Sequence, residues 1–346
     1  MTTPLNAVSD SDSLDAELSA VVAHLGEALQ RRLGNAIEIS NIDVATLGGS
    51  NRTVLFDVRG AGQRRRLVLR QETISMAYSP FLPSATQYAV LSAAYRHGMP
   101  VPEPIFELEP VDELGQGYVV AAVAGESLPK RLLSGTQFAT ARARYLKQAG
   151  AMLAKLHGID VAEFAVLETV PDTLDALGAQ IGYYDGYGEP HPALEFAFRW
   201  LEKSQPPANA RVPLHGDFRN GNMLVGEEGI RALLDWECAH IGDPLEDFGW
   251  FCTRSWRFGA VDRPAGGFGS RETLYRAYEE AGGRTIDREA ARWWEIFGLM
   301  RWALYNIMQI VGHVNGTRRS PAFAACGRNT ALIEYEMLMT MAGKFD

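Results

Sequence analysis

The sequence predicts an α+β protein in two parts, a small β-rich first part and a larger α-rich second part. Three observations predict it. Residues 37 to 71 carry strand patterns broken by glycine-rich turns. The chain after Gly125 turns mostly helical in its apolar spacing. The 346 residues, 47% hydrophobic and 22% charged, exceed one average domain and suffice for a sizeable core. The expected division is 1–120, a connector at 121–125, and 126–346. Two such parts place a cleft between them, where a ligand is expected.

The elements follow in order. Residues 13 to 33 read as a helix: Leu14, Leu18, Val21, Leu25 and Leu29 recur at spacings of three and four. Ser13 can cap it and Gly34 can end it. IEISNIDVATL, RTVLFDVRG and RRLVLRQ then read as strands, the first two joined by Gly48, Gly49, Ser50 and Asn51 with hairpin spacing. Residues 84 to 97 read as the helix of the first part. The PVPEP run at 100–104 forbids helix. Short strands are expected near 105–109 and 117–123. In the second part 137–157 is a long amphipathic candidate, 223–225 and 230–236 are short strands, and helices dominate beyond 247.

Composition narrows the function. Net charge is −9, from 33 Lys plus Arg against 42 Asp plus Glu. That argues against nucleic acid as partner, because phosphate backbones need clustered cations. Three cysteines, Cys238, Cys252 and Cys326, without a CxxC give neither a disulfide framework nor a cysteine zinc site. A reducing, cytoplasmic compartment is the simplest reading. The N-terminus is acidic and lacks the apolar run of a signal peptide. The most apolar stretch, 293–311, is interrupted by Glu295, Arg301, Asn306 and Gln309, so it reads as a buried or groove-lining helix and not a membrane span. Oligomeric state is not written in these patterns.

LHGDFRNGNMLV, residues 214–225, holds a His, an Asp, an Arg and two Asn between apolar segments. Asp217 and Asn222 lie five positions apart on a loop, and Asp235 ends an apolar strand. Taken singly, Asp217 and Asn222 are turn residues. Asp235 is harder to place as a bystander, because an uncompensated carboxylate there costs several kcal/mol, roughly. Phosphoryl transfer needs an acceptor hydroxyl aligned and its proton accepted, and metal ions to neutralise a triphosphate. Asp217 suits the first task. Asn222 and Asp235 are hard oxygen ligands that suit Mg²⁺.

At this point a resemblance is plain. HGDFRNGN resembles the His-x-Asp-x-x-x-x-Asn catalytic loop of the aminoglycoside phosphotransferase-like branch of the protein-kinase-like fold. LLDWECAHIGDPLEDFGW is similar to that family's metal-binding segment. The nearest likeness is to bacterial phosphotransferases akin to the kinase-like domains fused to some acyl-CoA dehydrogenases, over roughly residues 40–310. The resemblance implies a bilobal fold, with N-terminal lobe, hinge and helical C-terminal lobe. It implies ATP and Mg²⁺, with Asp217 as base and Asn222 and Asp235 on the metal. His215 then props the loop, Asp247 braces it, and Asp243 is a turn or cap. Ser50 and Asn51 stand where the family covers the phosphates. Arg70 stands where many kinases carry Lys, and the backbones of Ala121 and Val123 stand where adenine binds. Gln87 occupies the place of the Glu that usually pairs the strand cation.

The implied activity is an ATP- and Mg²⁺-dependent kinase acting on a small-molecule hydroxyl. The acceptor is the open term. Residues 251–320 contain 11 Arg and no Lys against seven acids, a net of +4. Arginine suits phosphate and carboxylate, so an anionic acceptor is expected, and the resemblance to domains fused with acyl-CoA dehydrogenases implies a hydroxyacyl-CoA. Arg254 and Arg257 are candidates to hold it, beside Trp293, Trp294, Trp302 and Tyr305 as wall residues. Two alternatives stand: an aminoglycoside acceptor, and a nucleotide-binding pseudokinase, suggested by Gln87.

Overall fold

Strand alternation builds the first unit of the chain. The structure, a computed structural model, describes residues 10–34, 37–45, 51–60, 63–73 and 79–345. Strands β1 (Glu38–Ala45), β2 (Asn51–Gly60), β3 (Gln63–Glu72), β4 (Pro104–Glu107) and β5 (Gly117–Ala121) form one antiparallel sheet in the order β1-β2-β3-β5-β4. Val54, Phe56 and Val58 of β2, Leu67 and Leu69 of β3, and Val119 of β5 turn inward together. Helix α1 (Asp10–Leu33) lays Val21, Leu25 and Leu29 on them. It begins ahead of Ser13, so the expected cap lies inside the first turn. Gly34, at φ 102°, ends it as expected. Arg31 and Arg32 at its C-terminal end bond the buried Asp112 at 2.7 and 2.8 Å. Burial opposes ionisation of Asp112, yet the two arginines hold it down to about 2.

The second unit takes the rest of the described chain, including the segment between Thr73 and Pro104. Helix α2 (Ser84–Arg96), expected in the first part, therefore belongs to the second. The reason is its contacts. It packs on the 3-10 turn Val161–Leu167, and its flanks bond the second unit through Leu82 N–H to Glu237 O and Leu233 N–H to Pro100 O, both 2.7 Å. Helices α3 (Pro129–Ser134) and α4 (Ala139–His157) follow the connector. Next come α5 (Pro171–Leu174), α6 (Ala176–Tyr187) and α7 (Pro192–Ser204). Strand β6 (Val212–Leu214) leads into the polar loop. The hairpin of β7 (Met223–Gly226) and β8 (Gly229–Leu233) follows it, and β9 (His240–Gly242) returns to pair with β6.

Helices α8 (Leu245–Cys252), α9 (Arg271–Glu280), α10 (Arg288–Val314) and α11 (Pro321–Met341) complete the unit. Gly249 lets α8 lie on α10: a Cβ there would meet the Trp294 backbone at 2.3 Å. Among the described residues no helix is long and apolar enough to cross a membrane. The fold is α+β and protein-kinase-like.

Candidate active site

The polar loop is held from both ends by short strands and from below by one carboxylate. Gly216 takes φ 74°, and a Cβ there would sit 2.0 Å from the Cys238 carbonyl oxygen. The turn presents two N–H groups to Asp247 near the start of α8. His215 N–H donates to its Oδ2 at 3.0 Å and Gly216 N–H to its Oδ1 at 2.9 Å. His157, which ends α4, reaches the same Oδ2 at 3.2 Å through Nε2. Burial opposes the charge on Asp247, but His157 and these donors keep its carboxyl below the ordinary range. Asp243, one residue before the N-cap Pro244, accepts the first N–H of α8, from Leu245, at 2.9 Å.

His215 links the loop to the strand end. Its Nδ1 accepts Asp217 N–H at 3.2 Å, which puts the ring proton on Nε2, and that donates to Leu234 O at 2.9 Å. Burial pushes its pKa down and favours this neutral form. Leu234 N–H donates in turn to Asn222 O at 2.8 Å. Asp217, Asn222 and Leu234 are thus tied in one ring of bonds, with Asp235 next along the chain. Asp235 adopts φ 67°, a left-handed conformation that Asp tolerates better than bulkier residues.

Three side chains donate to the Asp217 carboxylate. Asn222 Nδ2 donates to Oδ2 at 2.6 Å, Trp250 Nε1 to Oδ1 at 2.7 Å, and Arg219 Nε to Oδ1 at 2.9 Å. Because its nitrogen is committed to Asp217, Asn222 has its amide oxygen to offer a cation. Burial disfavours the charged guanidinium of Arg219, but Asp217 and Asp235 overcome this and hold its pKa up. Its guanidinium also lies 4.8 Å from the Trp256 ring centre. Among the described residues no three of His, Cys, Asp and Glu form a metal cage. One carboxylate and one amide oxygen suit a Mg²⁺ ion whose other ligands are phosphate and water.

An aromatic cluster adjoins the carboxylate. Trp250 lies 5.3 Å from Trp256, 5.9 Å from Tyr305 and 6.3 Å from Trp302, and Phe81 meets Tyr305 edge-on at 5.6 Å. Trp302 and Tyr305 thus sit beside Asp217 through Trp250. Trp293 does not join them: it stacks on Phe297 and donates to Leu201 O at 3.2 Å, a core position, and Trp294 packs with the same pair.

The arginines also differ from expectation. Arg257 is buried and bonds Glu295 and the carbonyls of Cys252 and Val261, so it is a structural residue. Arg254 pairs with Glu336 at 3.3 Å and covers Phe345. Both stand on one short 3-10 turn, Arg254–Arg257, and both are taken up by acids of the helices packed around it.

The remaining candidates fall elsewhere. Gln87 donates to Leu82 O at 2.7 Å, and the N–H of Leu82 bonds Glu237 O, so Gln87 supports the segment that follows Asp235. Asn51 opens β2 opposite Glu72. Arg70 leaves β3 on the face opposite α1, between Thr53 and Tyr118. Ala121 ends β5 opposite Leu67, and Val123 begins the second unit. Ser50 lies outside the described residues.

Sequence reasoning missed Arg219, Asn220 and Trp250. Arg219 and Asn220 stand inside the polar motif itself. Asn220 donates to the carbonyls of Trp256 and Gly266 at 3.0 and 2.7 Å, anchoring the loop that carries Trp256. Trp250 lies three residues after Asp247, so helical periodicity alone puts both on one face of α8.

The family model described as "Phosphotransferase enzyme family" matches residues 42–294, well over half of the chain. Among curated proteins, acyl-CoA dehydrogenase family member 11 of Gallus gallus is 31% identical over 220 residues, 58% of this chain and 26% of that protein. The chain thus spans about a quarter of the length of this relative. A solved structure from Ralstonia eutropha, provisionally assigned as an aminoglycoside phosphotransferase, superposes with a TM-score of 0.70 at 23% identity, covering 94% of this chain and 99% of that one. An ethanolamine kinase of Plasmodium vivax gives a TM-score of 0.63 at 13% identity, over 95% and 90% of the two chains.

Proposed function

This chain belongs to the phosphotransferase enzyme family, and from that premise we propose that it transfers the γ-phosphoryl group of ATP to a hydroxyl of a small molecule. The observation that carries the reading is the Asp217 carboxylate. It is nearly buried and oriented by three side-chain donors, on a backbone clamped by Asp247. A group so constrained meets the geometric demand of a base or orienting residue for an acceptor hydroxyl.

In this reading Asp217 takes the hydroxyl proton as the new O–P bond forms and the bond to ADP breaks. Such help is worth about 10²–10⁴-fold. Asn222 and Asp235 would hold Mg²⁺, and their oxygens fit that ion. Bound there, Mg²⁺ would neutralise charge on the triphosphate. Arg219 stays cationic beside Asp217 and Asp235 and is placed to balance negative charge near the base. Arg70, Ser50 and Asn51 are proposed for the phosphates, and the backbones of Ala121 and Val123 for adenine.

For the acceptor we propose a hydroxylated acyl-CoA. The support is the likeness to a protein named as an acyl-CoA dehydrogenase family member, carried over from a quarter of its length. The aromatic cluster supports it further. Glu246, which approaches this cluster, is committed to Arg301 and His240, so it is not available to a polycation.

The test is Mg²⁺-dependent ATP consumption with hydroxyacyl-CoAs and with kanamycin-like polycations. Stimulation by the first class alone is expected, and stimulation by the polycations alone would replace the acceptor. Asp217→Asn should lower turnover about 10²–10⁴-fold and keep ATP binding. Wild-type protein that binds ATP without turning it over would make the chain a nucleotide-binding module.

A further inference from the structure

Asp217 has two oxygens, and the structure distinguishes them. Oδ1 accepts two N–H groups, from Trp250 at 2.7 Å and Arg219 at 2.9 Å, whereas Oδ2 accepts one, from Asn222 at 2.6 Å. Each carboxylate oxygen offers two lone pairs. Oδ1 is therefore filled, and Oδ2 keeps one lone pair. Resting on the phosphotransferase reading, we infer that Trp250 is a positioning residue for the reaction: its indole N–H pins Oδ1, so that the remaining lone pair of Oδ2 meets the acceptor hydroxyl.

Three features suit Trp250 to this task. An indole N–H donates only, and does not titrate in the working range, so it cannot compete for the proton being moved. Trp250 shares α8 with Asp247 at a spacing of three, so one helix turn grips the loop backbone at 215–216 and the carboxylate at 217. The ring itself is held. It is 1% exposed, packs on Trp256, Trp302 and Tyr305, and has the Arg301 guanidinium 5.4 Å from its centre. Arg301 is fixed in turn by Glu246 at 2.8 Å and the Tyr305 hydroxyl at 2.7 Å. Arg219, by contrast, keeps a quarter of its side-chain surface exposed, whereas Trp250 is enclosed.

Trp250→Phe keeps a ring and removes the donor. The reaction to follow is hydrolysis of Mg²⁺-ATP by the full chain, with water as acceptor. Loss of a hydrogen bond to a charged group should lower kcat about tenfold to a hundredfold. KM for ATP and the thermal shift given by nucleotide should not change. In the Asp217→Asn background the same substitution should cost nothing further, because Trp250 acts through Asp217. A merely structural residue would lower kcat equally in both backgrounds, and that result, or an unchanged kcat, overturns the assignment. If Asp217→Asn lowers hydrolysis strongly while Trp250→Phe is neutral, the Trp250 inference fails alone. If wild-type hydrolysis does not depend on Asp217, the phosphotransferase reading fails and takes the inference with it. Should Trp250→Phe not fold, indole ¹H–¹⁵N spectra of the seven tryptophans decide. Asp217→Ala should move one downfield indole resonance upfield, and a spectrum with none moved refutes the bond.

Discussion

His215 donates from Nε2 to the carbonyl of Leu234 at 2.9 Å while its Nδ1 accepts the N–H of Asp217 at 3.2 Å. One imidazole thus spaces the proposed base from the residue before the proposed metal ligand Asp235. His215→Ala should leave both backbone groups buried without partners. The expected cost is about 1–3 kcal/mol of stability, read by urea denaturation. Turnover should fall further than this loss of folded protein explains, because the base and Asp235 lose their fixed separation.

Asp235 combines a chemical and a conformational demand, and the two separate by mutation. Asn tolerates the left-handed conformation at φ 67°, so Asp235→Asn should fold normally. The Mg²⁺ concentration giving half-maximal ATP turnover should rise about tenfold or more. Asp235→Val should show the same metal defect and lose a further ~1–2 kcal/mol to backbone strain. Equal magnesium requirements in wild type and Asp235→Asn would remove Asp235 from the metal.

His240 is buried with acceptors at both ring nitrogens, the Cys238 carbonyl at 2.9 Å and Glu246 at 3.1 Å. Two acceptors require an imidazolium. Burial opposes the charge, but Glu246 prevails and the pKa is pushed up to about 9. A pKa above the unfolded value of about 6.5 gives stability that is complete below that pH and fades as pH rises through about 9. His215, pushed the other way, contributes the opposite slope at lower pH. Thermal melts of wild type and His240→Gln should therefore converge between pH 6.5 and 9. A constant gap over that window would mean that His240 folds neutral.

Glu295 gathers three arginines: Arg257 at 3.1 Å, Arg271 at 2.8 Å and Arg292 at 2.5 Å. Burial works against the charge of Arg271, and Glu295 overcomes it and drives the pKa upward. Glu295→Gln leaves these cations facing one another across a neutral amide. The expected loss is about 3–5 kcal/mol, measured by denaturant titration. A loss below about 1 kcal/mol would mean that solvent screens the cluster.

Much of this was legible locally. Alternating residues placed β2 and β3 within a residue or two, because one buried face enforces a period of two. The polar loop stood out because its spacing is a chemical requirement expressed within eight residues. The site's supports were less legible. His157 ends α4, and nothing near it in sequence announces Asp247, 90 residues on. Arg254 and Arg257 read as anion-binding because their charge was visible and their partners Glu336 and Glu295 were not.

The sequence by itself determined the α+β class, the strand periods of the first unit, and a base and two metal-ligand candidates in order. Those depend on side-chain chemistry and on spacing along a single loop or strand. Only the tertiary structure decided that α2 belongs with the second unit, that Trp250 and Arg219 share Oδ1 of Asp217, and that Arg254 serves Glu336 while Arg257 and Arg271 serve Glu295. A hydrogen bond or ion pair acts over a few ångströms, so its partner is set by which elements pack together, and chain separation carries no record of that.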